Sequence, residues 1–142
     1  MTEFAQPFWG NWGYTPGSIT DMDDIIGKTP IHSEKTDEQI TFWFSDGMVA
    51  RWHHNQDCCE SVYVEDVTGD WADLMNTPLL VAEERSEEKS GDDCFESNTW
   101  TFYTFRSVKG SVDVRWHGQS NGYYSESVDF QMLPAPVATG AA

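Results

Sequence analysis

The strongest constraint on the fold is an order of short motifs that occurs twice in the chain. In each copy, a segment ending in Thr-Pro is followed by a polar link, an aromatic run, a turn and the triplet Arg-Trp-His. The Thr-Pro pairs lie 48 residues apart, whereas the triplets, which begin at Arg51 and Arg115, lie 64 apart. The difference places an insertion in the acidic run 83–96. The sequence therefore predicts an internal repeat, with copies at about 23–55 and 71–119.

Each copy predicts the same local structure. Asp23, Asp24 and Asp70 are candidate N-caps for short helical turns that end before a proline. The aromatic runs fit pleated, half-buried strands, and Asp46-Gly47 is typical of a hairpin turn. We therefore predict an α+β fold that is mainly β: a small antiparallel-sheet domain built from the duplicated strand-hairpin unit, with one or two short helices.

The ends of the chain differ in composition from the middle. Residues 1–19 form an arm rich in aromatic residues, glycine and proline, which is incompatible with a regular helix. We expect its rings to pack on their own domain or on a neighbouring subunit. Residues 20–133 are predicted to be a single β-rich ligand-binding domain, and the small residues of 134–142 predict a flexible tail.

The charge balance excludes several partners. The chain has 142 residues, with 24 acidic against 8 basic side chains and a formal charge of −16. Nucleic acids and anionic membranes are bound through Lys and Arg, so neither is an expected partner. No apolar stretch reaches the ~18 residues of a membrane span, and no signal peptide is evident. We expect a soluble protein of a reducing cytoplasm.

The cysteines and histidines do not predict a metal site. Cys58, Cys59 and Cys94 are an odd number, and the first two are adjacent, so we expect no disulfide framework. His53 and His54 point to opposite faces of a strand, whereas zinc ligands usually come in pairs two to four residues apart. Neither a cofactor motif nor a nucleophile motif is found. The sequence therefore predicts no metal, no cofactor and no enzymatic activity.

Two features could bind a small ligand. Arg51 and Arg115 each precede a Trp, and such an arginine can bind phosphate and stack on a base; the alternative is a surface arginine paired with a carboxylate. The turn that follows Arg115 combines hydroxyls, an amide and rings, which suits a nucleotide-like ligand, although an ordinary hairpin turn explains it equally well. The residues of interest in this turn are Ser120, Asn121, Tyr123 and Tyr124.

Over about residues 20–130 the chain resembles the Thoeris anti-defence protein 1 family of small phage and prophage proteins. The resemblance is carried by the motifs Ile25-Ile-Gly-Lys, Asp57-Cys-Cys-Glu-Ser, Val64-Glu-Asp-Val-Thr-Gly, and Arg115 with Ser120-Asn-Gly-Tyr-Tyr-Ser-Glu. It implies a small β-rich protein that captures the immune signal glyco-cyclic ADP-ribose without cleaving it. Some members also hold cyclic di- or trinucleotides at a separate site. The resemblance further implies a homo-oligomer, either a dimer or a hexamer built from dimers.

The resemblance also implies roles for individual residues. Arg115 matches the ligand-binding arginine of the family and Asn98 its ligand-contacting asparagine, while Arg51 is a weaker match supported by the internal repeat. Phe95 and Phe102 are the candidates for a ring that stacks on adenine.

The leading hypothesis is therefore a phage protein that sequesters a cyclic nucleotide signal in the host-cell cytoplasm. A second hypothesis is an interaction or virion-associated protein whose aromatic arm binds another protein. A third, an enzyme that degrades the signal, has no catalytic constellation to support it.

Overall fold

The computed structural model describes residues 4–10, 18–90, 97–122 and 124–136. Within these ranges the chain forms eight strands, which pair into two four-stranded antiparallel sheets. The strands are β1 (Pro30–Lys35), β2 (Gln39–Phe44), β3 (Met48–His53), β4 (Ser61–Thr68), β5 (Val81–Ser90), β6 (Ser97–Arg106), β7 (Ser111–Ser120) and β8 (Asp129–Pro134). The first sheet has the order β1-β2-β3-β8 and the second the order β4-β7-β6-β5. The prediction of a mainly β protein is confirmed.

The predicted short helices are single 3-10 turns, Met22–Ile25 and Trp71–Leu74. Asp70 caps the second turn as predicted, with its carboxylate accepting from the backbone N–H of Ala72. The cap of the first turn is Asp21 rather than Asp23 or Asp24, because the Asp21 carboxylate accepts from the N–H of Asp23 at 2.9 Å. In the part of the chain that is described, no helix has the length and apolar content needed to cross a membrane.

One strand of each sheet comes from the other half of the chain. Strands β1 to β3 form one three-stranded meander and β5 to β7 form another, and a 3-10 turn precedes each of them. Strand β4 follows the first meander but pairs with β7, and β8 follows the second meander but pairs with β3. Each half therefore completes the sheet of the other half. The internal duplication itself stays a prediction.

Aromatic rings fill the space between the sheets. Trp52 of β3 and Trp116 of β7 are both fully buried, and the Trp52 ring centroid lies 5.1 Å from that of Phe105 on the opposite sheet. Successive side chains of a strand point to opposite faces. Because the two tryptophans point inward, Arg51 and Arg115 project from the outer faces of different sheets, on opposite sides of the sandwich.

Residues 4–10 of the arm pack on the outer face of the first sheet. The Phe4 ring stacks on His32 with centroids 4.1 Å apart, and the indole N–H of Trp43 donates to the carbonyl oxygen of Ala5 at 2.9 Å. Trp9 is buried, whereas Phe8 is 77% exposed. One outer face is thus covered by the arm, and residues 11–17, with the rest of the arm's rings, lie outside the described residues.

The expectation that the adjacent cysteines stay unbridged is wrong, because the structure joins Cys58 and Cys59 in a disulfide. The Glu60 carboxylate accepts from the backbone N–H groups of both Asp57 and Cys58, each at 2.9 Å. These bonds hold the chain in a tight turn that places the two cysteine side chains together. Cys94 lies outside the described residues.

Two glycines with positive φ test the packing of β4 against β7. Gly69 (φ +112°) lies against β7, and a Cβ there would collide with the carbonyl oxygen of Ser111, whereas a Cβ on Gly47 (φ +89°) would meet nothing within 4 Å. We expect Gly47→Ala to lower the free energy of unfolding by ~1–2 kcal/mol, the backbone penalty alone. Gly69→Ala should cost a further ~1–3 kcal/mol, because backbone atoms must also move apart.

Urea denaturation of the two variants measures this difference. Equal losses of stability in the two variants would show that β4 and β7 do not approach each other at Gly69 as described.

Candidate ligand-binding site

The outer face of the second sheet carries two arginines, one on each side of a phenylalanine ring. Arg85 of β5 is directly opposite Phe102 of β6, and Phe102 is directly opposite Arg115 of β7. Side chains directly opposite each other on one face of a sheet are neighbours. The Arg85 guanidinium lies 4.7 Å from the centroid of the Phe102 ring. These residues line a shallow cleft of about 200 Å³.

Arg115 is paired with a carboxylate in this structure. A β-bulge between Val64 and Asp66 brings both Glu65 and Asp66 beside Arg115, and the Nε of Arg115 lies 2.6 Å from Glu65 Oε1. The Arg115 side chain is 44% exposed, and an ion pair at such a site contributes ~0–1 kcal/mol. If a phosphate replaced Glu65 as the partner of Arg115, the lost ion pair would therefore cost little binding energy.

Two further rings lie on the same face, next to Phe102 along the strands. Trp100 is directly opposite His117, and their rings stack with centroids 5.0 Å apart and an interplanar angle of 24°. Both residues are half-buried, so part of each ring remains accessible. Together with Phe102 they give this face an aromatic surface on which a planar ligand could stack.

A chain of hydrogen bonds orients Asn98 on this face. The Nε2 of His117 lies 2.9 Å from Asn98 Oδ1, and the Tyr63 hydroxyl lies 3.1 Å from His117 Nδ1. Because an amide oxygen only accepts, Nε2 of His117 donates to it and Nδ1 accepts from Tyr63. The side-chain oxygen of Asn98 therefore accepts a hydrogen bond from His117. The NH₂ group of Asn98 is the group that can donate to a ligand.

Arg51 occupies a different environment on the opposite side of the sandwich. Its Nε and Nη2 donate to the side-chain oxygen of Gln131 at 3.3 and 3.1 Å, and its Nη1 donates to that of Gln39 at 3.3 Å. The guanidinium lies 4.6 Å from the centroid of the Trp9 ring. Burial lowers the pKa of Arg51 to about 10, and the negative charge of Asp129 acts in the opposite direction. One chain cannot bring Arg51 and Arg115 to the same small ligand.

The predicted turn residues lie at the end of β7, away from the aromatic surface. Ser120 points to the inner side of the sheet, where its hydroxyl donates to the carboxylate of Glu126 and accepts from the N–H of Gly122. Glu126 is buried and also accepts from Thr99 at 2.7 Å. Asn121 and Tyr124 belong to the same turn, and Phe95 and Tyr123 lie outside the described residues.

Of the predicted ligand-binding residues, Arg115, Asn98 and Phe102 therefore lie on one face. The sequence interpretation did not select Arg85, Tyr63, Trp100 or His117. The alternation of Asn98, Trp100 and Phe102 along β6 was a signal for the tryptophan. No such signal existed for Arg85, because the acidic run interpreted as an insertion forms most of β5.

The loop between β3 and β4 is fixed by a buried carboxylate. The Glu60 carboxylate lies 2.7 Å from His54 Nε2, and it is 4% exposed. Burial alone would raise the pKa of Glu60, but the hydrogen bonds from His54 and from the backbone N–H groups of Cys58 and Asp57 outweigh it and lower the pKa to about 2. No group of three His, Cys, Asp or Glu side chains within the described ranges could hold a metal.

These features define an antiparallel two-sheet β protein with an arginine and aromatic residues on each outer face. A model of the domain family DUF7448, described as a domain of unknown function, matches residues 23–130. The match covers well over half of the chain, so the protein belongs to the DUF7448 family. No curated protein matches the chain, and no solved structure matches it.

The low pKa of Glu60 predicts a pH dependence of stability. A glutamate has a pKa of ~4.3 when unfolded, so the Glu60 interactions should stabilise the fold fully above about pH 4.5, and this contribution is lost as the pH falls towards 2. We expect Glu60→Gln to lower the urea midpoint most above pH 4.5, with the difference from the unmodified protein shrinking at lower pH. The control is Glu87→Gln, which changes an exposed carboxylate of β5. A Glu60→Gln deficit that stayed constant from pH 6 to pH 2.5 would contradict the assignment.

Proposed function

We propose that the protein is a phage anti-defence protein that binds a host immune signalling nucleotide and sequesters it without cleavage. The proposed ligand is glyco-cyclic ADP-ribose, with cyclic di- or trinucleotides as further candidates. The proposed site is the outer face of the second sheet. The observation that supports this proposal best is that Arg115, Asn98 and Phe102, which were selected from the sequence, lie on one face of the second sheet.

Each group on this face suits one part of a nucleotide. Arg115 and Arg85 would bind phosphates, since a guanidinium can donate two parallel hydrogen bonds to phosphate oxygens. Phe102 or Trp100 would stack on the base, a contact worth ~1–3 kcal/mol. The NH₂ of Asn98 would donate to an acceptor on the ribose or the base. None of these roles requires a bond to be broken.

The energetics favour a site that is closed by a second copy of the chain. Sub-micromolar binding requires more than ~8 kcal/mol, whereas small-molecule sites usually enclose ~300–1,000 Å³. The cleft of about 200 Å³ on this face is smaller. One stacked base and two exposed arginines do not reach the required energy on an open surface. We therefore propose that the protein acts as a homo-oligomer in which a neighbouring subunit covers the ligand.

Negative charges around the cleft oppose the binding of an anionic nucleotide. Glu65, Asp66 and Asp113 border the cleft beside Arg85 and Arg115, and the whole chain carries a formal charge of −16. Charges beyond a Debye length of ~8 Å are largely screened, so the distant acidic surface matters less than these three carboxylates. They should slow association with an anionic ligand.

The alternative proposal is a phage interaction or virion-associated protein that binds a protein partner through its aromatic arm. One observation favours it: Phe8 is 77% exposed. Phe4 and Trp9, the other two rings described in the arm, already pack on the first sheet. The arm therefore offers a protein partner one exposed ring among those described, and we regard ligand binding by the second sheet as better supported.

The decisive experiment incubates the purified protein with glyco-cyclic ADP-ribose, removes the protein by filtration and heats it to release bound ligand. Mass spectrometry should show the nucleotide missing from the filtrate and returned with unchanged mass after heating. Conversion to a new mass would contradict sequestration and indicate an enzyme. If the ligand stayed in the filtrate, the same assay with cyclic di- and trinucleotides would follow, and their failure would leave the protein-partner alternative.

Point variants test the proposed site directly. Loss of a hydrogen bond to a charged group costs ~1.5–3 kcal/mol, so Arg115→Gln should weaken binding by roughly 10- to 100-fold. Phe102→Ala should weaken binding by roughly 5- to 150-fold through the lost stacking. Arg106→Gln is the matched control, because Arg106 is an exposed arginine at the far end of β6. Unchanged affinity in Arg115→Gln, measured by titration calorimetry, would exclude the second sheet as the site.

A further inference from the structure

A second cleft lies on the opposite outer face of the sandwich, where the arm meets the first sheet. It has a volume of about 780 Å³, which falls within the ~300–1,000 Å³ range of small-molecule sites. One side is formed by residues 7–10 of the arm, and the other by Arg51 and the residues that follow β3. The proposed nucleotide site on the second sheet shares none of these residues.

Arg51 gives this cleft a positive charge that no direct ion pair neutralises. Its hydrogen-bond partners, Gln131 and Gln39, are neutral amides, and in the described part of the chain no carboxylate lies within ion-pair distance of it. Arg115, by contrast, is paired directly with Glu65. Asp57 also lines the cleft and the charge of Asp129 acts on Arg51. A half-buried cation whose hydrogen-bond partners are all neutral still retains attraction for anions. The three described hydrogen bonds use three of the five N–H donors of a guanidinium, so two N–H groups can serve a ligand.

His53, a second polar side chain of this cleft, has one ring nitrogen without a hydrogen-bond partner among the described residues. His53 lies two residues after Arg51 on β3, on the same face of the strand, and it lines the same cleft. Its Nε2 lies 2.8 Å from Asn55 Oδ1 and therefore donates to it. Its buried Nδ1, which is then an acceptor, has no hydrogen-bond partner among the described residues. An unpaired acceptor beside Arg51 favours a ligand that carries a donor as well as negative charge, such as a monoprotonated phosphate.

The arm adds an aromatic component. The Trp9 ring already lies over the Arg51 guanidinium, and the neighbouring Phe8 lines the cleft with 77% of its surface exposed. An exposed ring at the edge of a cationic cleft can stack on a planar ligand. We propose that the arm and the first sheet form a second, independent binding site for an aromatic phosphate monoester, with its phosphate at Arg51 and its ring against Phe8.

Phenyl phosphate is a suitable probe, and the ¹⁵N–¹H signal of the Arg51 Nε–H group, assigned from its loss in Arg51→Gln, is a local readout. We expect phenyl phosphate to shift this signal saturably. Phe8→Ala, which changes an exposed side chain, should weaken the binding several-fold, since only the ring contact is lost. Arg115→Gln, on the other face, should leave the binding unchanged. Inorganic phosphate should shift the same signal with lower affinity.

The controls keep the outcome interpretable. Arg51→Lys keeps the positive charge but lacks the planar group of donors, so it should bind phenyl phosphate at least about tenfold more weakly. Because the variant has no Arg51 signal, its binding is followed by the indole N–H signal of Trp9, whose ring lies over residue 51. The tryptophan indole signals report whether each variant remains folded. An unshifted Arg51 signal at millimolar phenyl phosphate would overturn the proposal. A saturable shift of the Trp9 indole signal that survived Arg51→Gln, or binding that Arg115→Gln abolished, would also overturn it.

Discussion

The burial of two tryptophans between the sheets determines the chemistry of both outer faces. Trp52 and Trp116 lie in the core and have no solvent exposure. Replacing a buried ring of this size by alanine typically costs ~3–5 kcal/mol. Because side chains alternate along a strand, each inward tryptophan forces the arginine before it and the histidine after it to the outside. The ligand-binding potential of both faces thus depends on a packing requirement of the core.

The Arg-Trp-His triplets of β3 and β7 have different neighbours, because β8 pairs with β3 and β4 pairs with β7. Strand β4 brings Tyr63 and Glu65 beside His117 and Arg115, so the second sheet holds a charged pair and a relay that orients Asn98. On the first sheet, β8 brings the neutral Gln131 to Arg51, and the arm covers part of the face. The same three residue types therefore form an exposed ion pair on one sheet and, on the other, a half-buried cation whose hydrogen-bond partners are neutral.

The features that the sequence predicted correctly are those that depend on local pattern. The aromatic runs form strands, and Asp70 caps its turn. The features that were missed depend on contacts distant in sequence. A strand as rich in charge as β5 has low intrinsic β-propensity and forms because β6 pairs with it along its whole length, which also conceals the role of Arg85. The disulfide of Cys58 and Cys59 is an exception, since it depends on a local turn that the carboxylate of Glu60 holds from two and three residues away.

The exchange of strands also has a kinetic consequence. The bond between Arg51 and Gln131 joins residues 80 positions apart, and the pair of Arg115 with Glu65 spans 50 positions. Such a topology has a high contact order, which is associated with slow folding. On the ribosome, the first sheet cannot be completed when its meander emerges, because its fourth strand is β8, the last of the eight described strands in chain order. The four strands of the second sheet are all synthesised before β8, so the binding surface of the first sheet should be the last to mature.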